Sequence, residues 1–210
     1  MLEIHPETDL LLVVDVQNDF CEGGRLAVPG GSEIVATVGR LMDAFPHVVL
    51  TQDWHPPGHL SFASSHPGRQ PFEQIEVAYG PQTLWPDHCV QDTAGAAFHP
   101  GLDTAKADLV LRKGADPALD SYSAFVENDR RTPTGLTGYL REKGVERVFL
   151  AGLAFDYCVA WSAEDARREG FAAVVIEDAC RAIDLAGSAA AARDRLSAAG
   201  VRLIRAAALV

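Results

Sequence analysis

The chain has 210 residues, of which 48% are hydrophobic, enough to bury one sizeable core. Its 18 Lys and Arg are outnumbered by 29 Asp and Glu, and the formal charge of -11 argues against a nucleic acid partner. The N-terminal segment lacks a basic stretch and contains one short apolar run. We therefore expect a cytoplasmic protein without a signal peptide, a membrane-spanning helix or a membrane partner.

Short apolar runs alternate with longer segments of helical periodicity. The predicted strands are residues 9–16, 47–52, 109–111, 146–153, 172–176 and 201–204. The predicted helices are residues 32–45, 134–143, 156–169 and 185–199. Because the strands are continuously apolar, both faces of the sheet should be buried. This order predicts a single α/β domain over residues 1–210: a doubly wound, mainly parallel sheet with helices on both faces, a three-layer architecture of the Rossmann type.

The segment 54–108 is rich in Pro, Gly and His and shows no clear periodicity. A loop of this length in a compact domain is usually functional or disordered. The runs DWHPPGH, LWPDHC and AFHPG carry aromatic and imidazole side chains, and disordered segments are poor in aromatics. We therefore predict an ordered loop that binds a metal and a substrate.

Chemically active residues follow the predicted strands. In open α/β sheets, ligands bind beyond the carboxyl ends of the strands. The first strand ends at Asp15 (VVDVQ), the second at Asp53 (LTQDWH) and the third at Lys113 (LVLRKG). The fourth leads through Ala154 to Cys158 (LAFDYC). One edge of the sheet should then collect two carboxylates, an ammonium group and a thiol.

Cys158 lies where a predicted strand passes into a predicted helix. A helix N-terminus or a nearby lysine lowers a thiol pKa from its free value of about 8.5, so Lys113 should favour the thiolate near neutral pH. Asp15 is suited to accept and return a proton, and the free amides of the first helical turn could hold an oxyanion. These features predict acyl transfer through a thioester. The alternative, an inert buried cysteine, is less favoured because of these neighbours.

The run DWHPPGH brings a carboxylate and two imidazoles close together in the sequence. Asp53, His55 and His59 lie within it, and the two prolines between the histidines exclude a helical pair. With His88 of WPDHC as a fourth ligand, the set suits a divalent zinc, iron or manganese ion. Histidines beside prolines also occur in ordinary surface loops, and Cys89 is a rival ligand.

Five motifs in chain order resemble those of the nicotinamidase (pyrazinamidase) family of isochorismatase-like cysteine hydrolases. They are VVDVQNDFCEGGRLAVPGG, TQDWHPPGHLSF, LWPDHCVQDTAGAAFHPGL, RKGADPALDSYSAF and AGLAFDYCVAWSAEDARREG. The resemblance spans nearly the whole domain. It implies the isochorismatase-like fold and an amidase that hydrolyses nicotinamide, and also pyrazinamide, to the acid and ammonia in NAD salvage, through a cysteine thioester.

The resemblance also implies roles for individual residues. Asp15, Lys113 and Cys158 would form the catalytic triad. The backbone amides of Ala154 and Cys158 would form the oxyanion hole beside a cis peptide bond at Leu153–Ala154. One divalent metal ion, with zinc as the first choice, would face the ring nitrogen, and no organic cofactor is expected. The implied metal ligands are Asp53, His55, His59 and His88, and the implied substrate-binding aromatics are Phe20, Trp85, Tyr122 and Tyr157.

Two positions depart from common family patterns, and some alternatives stay open. Phe155 replaces a frequent threonine and Tyr157 stands where some members carry histidine; neither change removes a catalytic group, and their effect on the pocket is left open. Any single aromatic is more often a core residue than a ligand contact. Another superfamily amidohydrolase acting on a carbamoyl or ureido substrate, or a catalytically silent metal-binding scaffold, would share much of the pattern. A homo-oligomer is left open.

Overall fold

A six-stranded parallel sheet forms the centre of the structure, a computed structural model that describes residues 1–209. Its strands are β1 (Asp9–Val14), β2 (Val48–Asp53), β5 (Leu109–Lys113), β6 (Arg147–Leu153), β7 (Ala172–Arg181) and β8 (Arg202–Ile204), and β3 (Gln74–Val77) and β4 (Gly80–Thr83) form a separate antiparallel hairpin. The order across the sheet is β5-β2-β1-β6-β7-β8, with every pair parallel. The predicted fold class is confirmed.

Helices cover both faces of this sheet. They are α1 (Val35–Ala44), α2 (Leu136–Glu142), α3 (Ala160–Arg168) and α4 (Ser188–Ala198). Leu11 and Val13 of β1 belong to the apolar cluster that contains Val38 of α1. Leu10 and Leu12 belong to the opposite cluster, which contains buried residues of α2, α3 and α4. Side chains alternate between the two faces of a strand, so a strand buried on both faces is apolar throughout.

The strand order reverses direction between β1 and β6. From β1 the sheet continues through β2 to β5 on one side, and from β6 through β7 to β8 on the other. Val14 pairs with Gly152 at this junction, and a Cβ on Gly152 would overlap the Val14 backbone, so the close approach needs glycine. A crevice beyond the carboxyl ends of two such strands is where this kind of sheet binds ligands.

The long segment 54–108 is ordered, as predicted, although it contains a hairpin that the sequence analysis missed. Isolated bridges join His55 to Val90 and Phe62 to Trp85, which brings distant parts of the loop together. The β3–β4 hairpin has four-residue strands, and Pro81 lies within the second. Short strands that contain proline give little signal in a sequence.

Several predicted boundaries move in the structure. The first strand ends at Val14 instead of residue 16, because Asp15 has a φ of 48°. The strand predicted over 172–176 continues to Arg181. The helix predicted from residue 156 begins as a π-helical turn, Phe155–Val159, before α3. Among residues 1–209, no helix is both long and apolar enough to cross a membrane.

Candidate active site

Three side chains from different strand ends meet in one buried cluster. Lys113 ends β5, Asp15 directly follows β1, and Cys158 lies in the turn after β6. The Nζ of Lys113 lies 2.8 Å from Oδ2 of Asp15 and 3.5 Å from Sγ of Cys158. None of the three residues is more than 5% exposed. The three residues predicted to act together are therefore in contact.

One carboxylate oxygen of Asp15 accepts a hydrogen bond, and the other has none within residues 1–209. Its Oδ1 accepts a hydrogen bond from the Thr51 hydroxyl at 2.6 Å. Its Oδ2 accepts none from the described residues, because the Lys113 ammonium approaches it outside hydrogen-bond geometry. Burial raises the pKa of Asp15, and the charge of Lys113 opposes this shift. A buried carboxylate with a raised pKa and a free oxygen is suited to accept and return a proton.

The expectation of a lowered thiol pKa is wrong for Cys158. Burial raises the pKa of this thiol well above its ordinary value, and Lys113 only partly opposes the effect. The reason is that Lys113 pairs with two carboxylates, Asp15 and Asp53, whose charges raise the thiol pKa further. The same two carboxylates raise the pKa of Lys113 although burial alone would lower it. The resting cluster therefore holds an ammonium group and a protonated thiol.

The turn between β6 and α3 carries backbone amides next to the thiol. The Leu153–Ala154 peptide bond is cis, as the resemblance implied. The Ala154 carbonyl accepts hydrogen bonds from the amides of Tyr157 and Val159, both at 3.1 Å. The Cys158 amide lies between these two donors in the sequence, and it does not donate to the Ala154 carbonyl. Ala154 and Cys158 both line the pocket described below, so their amides are candidates to hold a substrate oxygen.

The same turn fixes the loop that follows β7. The buried carboxylate of Asp156 accepts hydrogen bonds from the amides of Ile183 at 3.0 Å and Asp184 at 2.8 Å, and from the Ser188 hydroxyl at 2.5 Å. Ile183 is one of the residues that line the pocket. Asp156, two residues before Cys158, thus fixes the backbone of a residue in the pocket wall.

Asp53, His55 and His88 form a buried group that suits a metal ion. Nε2 of His55 lies 3.6 Å from Oδ2 of Asp53, and Nε2 of His88 lies 3.8 Å from the same oxygen. One ligand atom from each residue lies within 4.8 Å of the others. Two imidazoles and a carboxylate are a common donor set for zinc and related divalent ions. These three of the four predicted ligands are therefore brought together.

The imidazoles are oriented for this purpose by carbonyl groups behind them. Nδ1 of His55 lies 2.9 Å from the Gly114 carbonyl, and Nδ1 of His88 lies 2.8 Å from the Pro86 carbonyl. Such bonds leave Nε2 free for a metal ion. Burial and the neighbouring His55 lower the pKa of His88 to about 4, so His88 is neutral, as a ligand must be. Burial alone would raise the pKa of Asp53, but Lys113 and His55 lower it below its ordinary value.

Backbone contacts fix two of these ligands in place. The Gln17 side chain donates to the Asp53 carbonyl and accepts from the Asp53 amide, both at 2.8 Å. Gly114 has a φ of 64°, and a Cβ there would lie 2.5 Å from Cε1 of His55. Glycine at this position is therefore needed for the observed place of the imidazole.

His59 is not brought into this group. Its Nδ1 lies 2.8 Å from the Ser61 hydroxyl, and its Nε2 lies 2.9 Å from the Asp116 carbonyl. Its ring stacks on that of His55 with centroids 4.3 Å apart, and its ligand atom groups instead with those of His55 and Asp120. Both ring nitrogens of His59 have partners, so its predicted role as a ligand lacks support from this arrangement. Cys89, the rival ligand, also lies outside these groups.

A small pocket opens onto the thiol and onto Asp53 and His88 of the metal-binding group. All four aromatic residues named from the resemblance line it: Phe20, Trp85, Tyr122 and Tyr157. The rings of Trp85 and Tyr157 meet edge to face at 4.9 Å, and the Trp85 Nε1 donates to the Tyr122 hydroxyl at 3.1 Å. A pocket this small, with aromatic walls, suits a single planar ring.

The two departures from the family pattern differ in position. Tyr157 lines the pocket, whereas Phe155 is buried in the cluster beneath α3 and α4, with the Arg193 guanidinium 4.9 Å from its ring centroid. Phe155 is therefore not a direct contact of the pocket. Sequence reasoning also missed Asp120, which lines the pocket; the carboxylate in RKGADPALDSYSAF was the available signal. Ile183 also lines the pocket and was missed, because an isolated apolar residue gives no sign of a binding site in the sequence.

Fold and site together define a doubly wound α/β protein with a thiol, a carboxylate and an ammonium group at the reversal point of its parallel sheet. The chain matches the Isochorismatase domain family over residues 9–208, and it belongs to that family. The nicotinamidase of Acinetobacter baylyi is 53% identical over 194 residues, covering 92% of this chain and 91% of the relative. The nicotinamidase of Escherichia coli is 44% identical over 198 residues, covering 92% of each. The resemblance drawn from the motifs is confirmed.

Solved structures are similar over the whole chain. A nicotinamidase/pyrazinamidase of Acinetobacter baumannii has a TM-score of 0.96 at 52% identity, covering 98% of this chain and 99% of that one. PnC1 of L. infantum, in complex with nicotinate, has a TM-score of 0.87 at 40% identity, covering 100% and 98%. A pyrazinamidase of Pyrococcus horikoshii, in complex with zinc, has a TM-score of 0.76 at 32% identity, covering 95% and 99%.

Proposed function

We propose that this protein hydrolyses nicotinamide to nicotinate and ammonia through a thioester on Cys158. The observation that carries the proposal is the contact of Lys113 with both Asp15 and Cys158 beside a small aromatic pocket. The relatives that carry the name nicotinamidase, and the similar structure in complex with nicotinate, support this substrate. Pyrazinamide has the same planar shape and is a second substrate, because a small apolar pocket discriminates weakly between isosteres.

In the first step, Asp15 takes the proton of the Cys158 thiol while the sulfur attacks the carboxamide carbon. The raised pKa of Asp15 and its free Oδ2 suit it to this role. Lys113 stabilises the thiolate as it forms, because its Nζ lies 3.5 Å from the sulfur. Since the resting thiol is protonated, the nucleophile forms only in the presence of its base.

The carbonyl oxygen becomes negatively charged as the carbon–sulfur bond forms. The amides of Ala154 and Cys158 hold this oxygen, since backbone N–H groups in a fixed turn stabilise such charge. Asp15 then returns the proton to the nitrogen, the carbon–nitrogen bond breaks, and ammonia leaves. A thioester between Cys158 and the nicotinoyl group remains.

Water completes the reaction by attacking the thioester. Asp15 takes one proton from the water as the carbon–oxygen bond forms, the carbon–sulfur bond breaks, and Asp15 returns that proton to Cys158; the acid formed then releases its remaining proton to solvent and leaves as nicotinate. Trp85 and Tyr157 keep the ring in place through both halves of the reaction. The same residues thus serve acylation and deacylation.

The ring nitrogen faces Asp53, His55 and His88, the residues that would hold a divalent metal ion. Such an ion would supply a Lewis acid that binds the ring nitrogen, with zinc as the first choice over iron or manganese. The similar pyrazinamidase in complex with zinc supports this choice. The loop 54–108 is then the metal- and substrate-binding part of one domain. A cytoplasmic place in NAD salvage and a homo-oligomer stay predictions.

Ammonia release from nicotinamide by the purified protein, compared with Cys158→Ala, tests the proposal. Metal content should be recorded on both samples. We expect release from the wild type alone, with equal metal in both proteins, and a nicotinoyl adduct on Cys158 by mass spectrometry after acid quenching. A folded, metal-loaded wild type that releases no ammonia would overturn the proposal.

A further inference from the structure

Gln82 is the one buried residue in the strands of the β3–β4 hairpin. It is 1% exposed, whereas Gln74 and Glu76 of β3 and Pro81 of β4 are exposed. A buried side-chain amide is costly unless its donors and its acceptor have partners. The position of Gln82 therefore depends on what it contacts.

The amide of Gln82 has a partner on every side. Its Nε2 donates to Oδ2 of Asp120 at 2.6 Å and to the Thr83 carbonyl at 2.7 Å, and it lies 3.4 Å from the Tyr122 hydroxyl. Its Oε1 accepts a hydrogen bond from the Tyr79 hydroxyl at 2.8 Å. The nitrogen faces a carboxylate and a carbonyl, which only accept, so the orientation of the amide is determined.

Two of these partners are walls of the pocket. Asp120 and Tyr122 line it, whereas Gln82 does not reach it. Asp120 receives one hydrogen bond on each oxygen, from Gln82 on Oδ2 and from the Ser121 amide at 2.8 Å on Oδ1. The Tyr122 hydroxyl accepts from Trp85 and is within reach of Gln82. Gln82 is thus the side chain that connects the hairpin to both pocket walls.

We propose that Gln82 is a positioning residue for substrate binding, which holds the Asp120 carboxylate and the Tyr122 ring against the pocket. The inference rests on the proposed function, because it names a residue that shapes the pocket for that reaction. Gln82 has no hydrogen bond with Asp15, Lys113 or Cys158. Its loss should therefore weaken substrate and transition state equally, which raises KM and leaves kcat unchanged.

Gln82→Met removes the amide at nearly constant volume, and Gln82→Glu keeps the size but sets a carboxylate against Asp120. We expect both variants to raise the KM for nicotinamide about tenfold or more, because the charged acceptor Asp120 loses its donor, with the larger effect in Gln82→Glu, which adds a like charge beside it. The kcat and the rate of Cys158 alkylation by iodoacetamide should stay within about threefold of wild type. Gln74→Met, an amide replaced on the same hairpin, is the control and should match wild type.

Equilibrium binding of nicotinate, measured by calorimetry, gives a second readout that needs no turnover. It should weaken in both Gln82 variants by the same factor as KM rises. A lowered melting temperature with unchanged KM and nicotinate affinity would reduce Gln82 to a structural residue, and a fall in kcat at constant KM would place its effect on the chemistry; either result overturns the inference. If Gln82→Met does not fold, the isosteric Gln82→Glu carries the test. A wild type that neither releases ammonia nor binds nicotinate would instead remove the proposed function, and the inference with it.

Discussion

The two sides of the pocket are built in different ways. Asp15 and Lys113 lie at strand ends and Cys158 in the turn after β6, so the parallel sheet itself sets their spacing. His55 and His88 lie in the long loop, where an isolated bridge from His55 to Val90 and two carbonyl contacts hold them. Asp53 belongs to both sides, since it ends β2 and pairs with Lys113 and His55. Chemistry on the sheet side and ligand binding on the loop side should therefore be separable by mutation.

The largest effect is expected on the sheet side, from Cys158→Ala. Without the sulfur no thioester forms, and we expect turnover to fall by about 10⁴-fold or more. The side chain is not needed by Asp53, His55 or His88, so metal content measured by elemental analysis should equal that of wild type. Retained turnover would remove the thiol mechanism, and loss of metal would show that the two sides are not separable.

On the loop side, His55→Ala removes a donor and should strip the metal ion. We expect metal affinity to fall by about 100-fold or more, with a raised KM, while Cys158 keeps its wild-type alkylation rate. His66→Ala is the matched control, because within residues 1–209 the one hydrogen-bond partner of its imidazole is the Leu60 carbonyl in the same loop. Full metal occupancy in His55→Ala would show that the ligand set is wrong.

The sheet side could be predicted from the sequence because its residues follow strand ends. Continuous apolar runs locate parallel strands, and the carboxyl ends of neighbouring strands share an edge, so Asp15, Lys113 and Cys158 were expected together. What the pattern could not show is how charge is shared inside the cluster. Burial raises the pKa of the Cys158 thiol, and Lys113, which pairs with two carboxylates, only partly opposes this shift.

The loop side could be predicted only in part. The spacing in DWHPPGH correctly indicated Asp53 and His55 as neighbours, but the direction of an imidazole depends on backbone contacts made by distant residues. His59 turns toward the Ser61 hydroxyl and the Asp116 carbonyl, and Asp120 enters the pocket through contacts with the unpredicted β3–β4 hairpin. Without periodicity, such contacts leave little trace in the sequence.

A smaller effect, a shift in the pH dependence of Cys158 alkylation, should show how much each charge on the sheet side changes the thiol pKa. Because burial and Asp15 raise the thiol pKa, Cys158 is mostly protonated at pH 7, and its alkylation should be slower than that of an exposed cysteine and rise about tenfold per pH unit up to that pKa. Asp15→Asn removes one neighbouring negative charge without changing size. It should shift the alkylation profile to lower pH; a profile unchanged or shifted to higher pH would contradict this balance of charges.

The smallest effect is expected at Tyr157, where the two sides meet. Its ring packs against Trp85 from the loop and against Tyr122, yet it lies beside Cys158 in the turn after β6. Tyr157→His keeps a planar ring but removes part of this packing, so we expect the KM for nicotinamide to rise by a few-fold with kcat within about twofold. Tyr139→His replaces a partly buried ring of α2 that does not line the pocket, so it is the control and should leave both constants unchanged. A fall in kcat larger than the rise in KM would mean that Tyr157 positions the turn that carries Cys158. Tyr157 would then belong to the sheet side of the pocket, with the chemistry, and not to the side that binds the ligand.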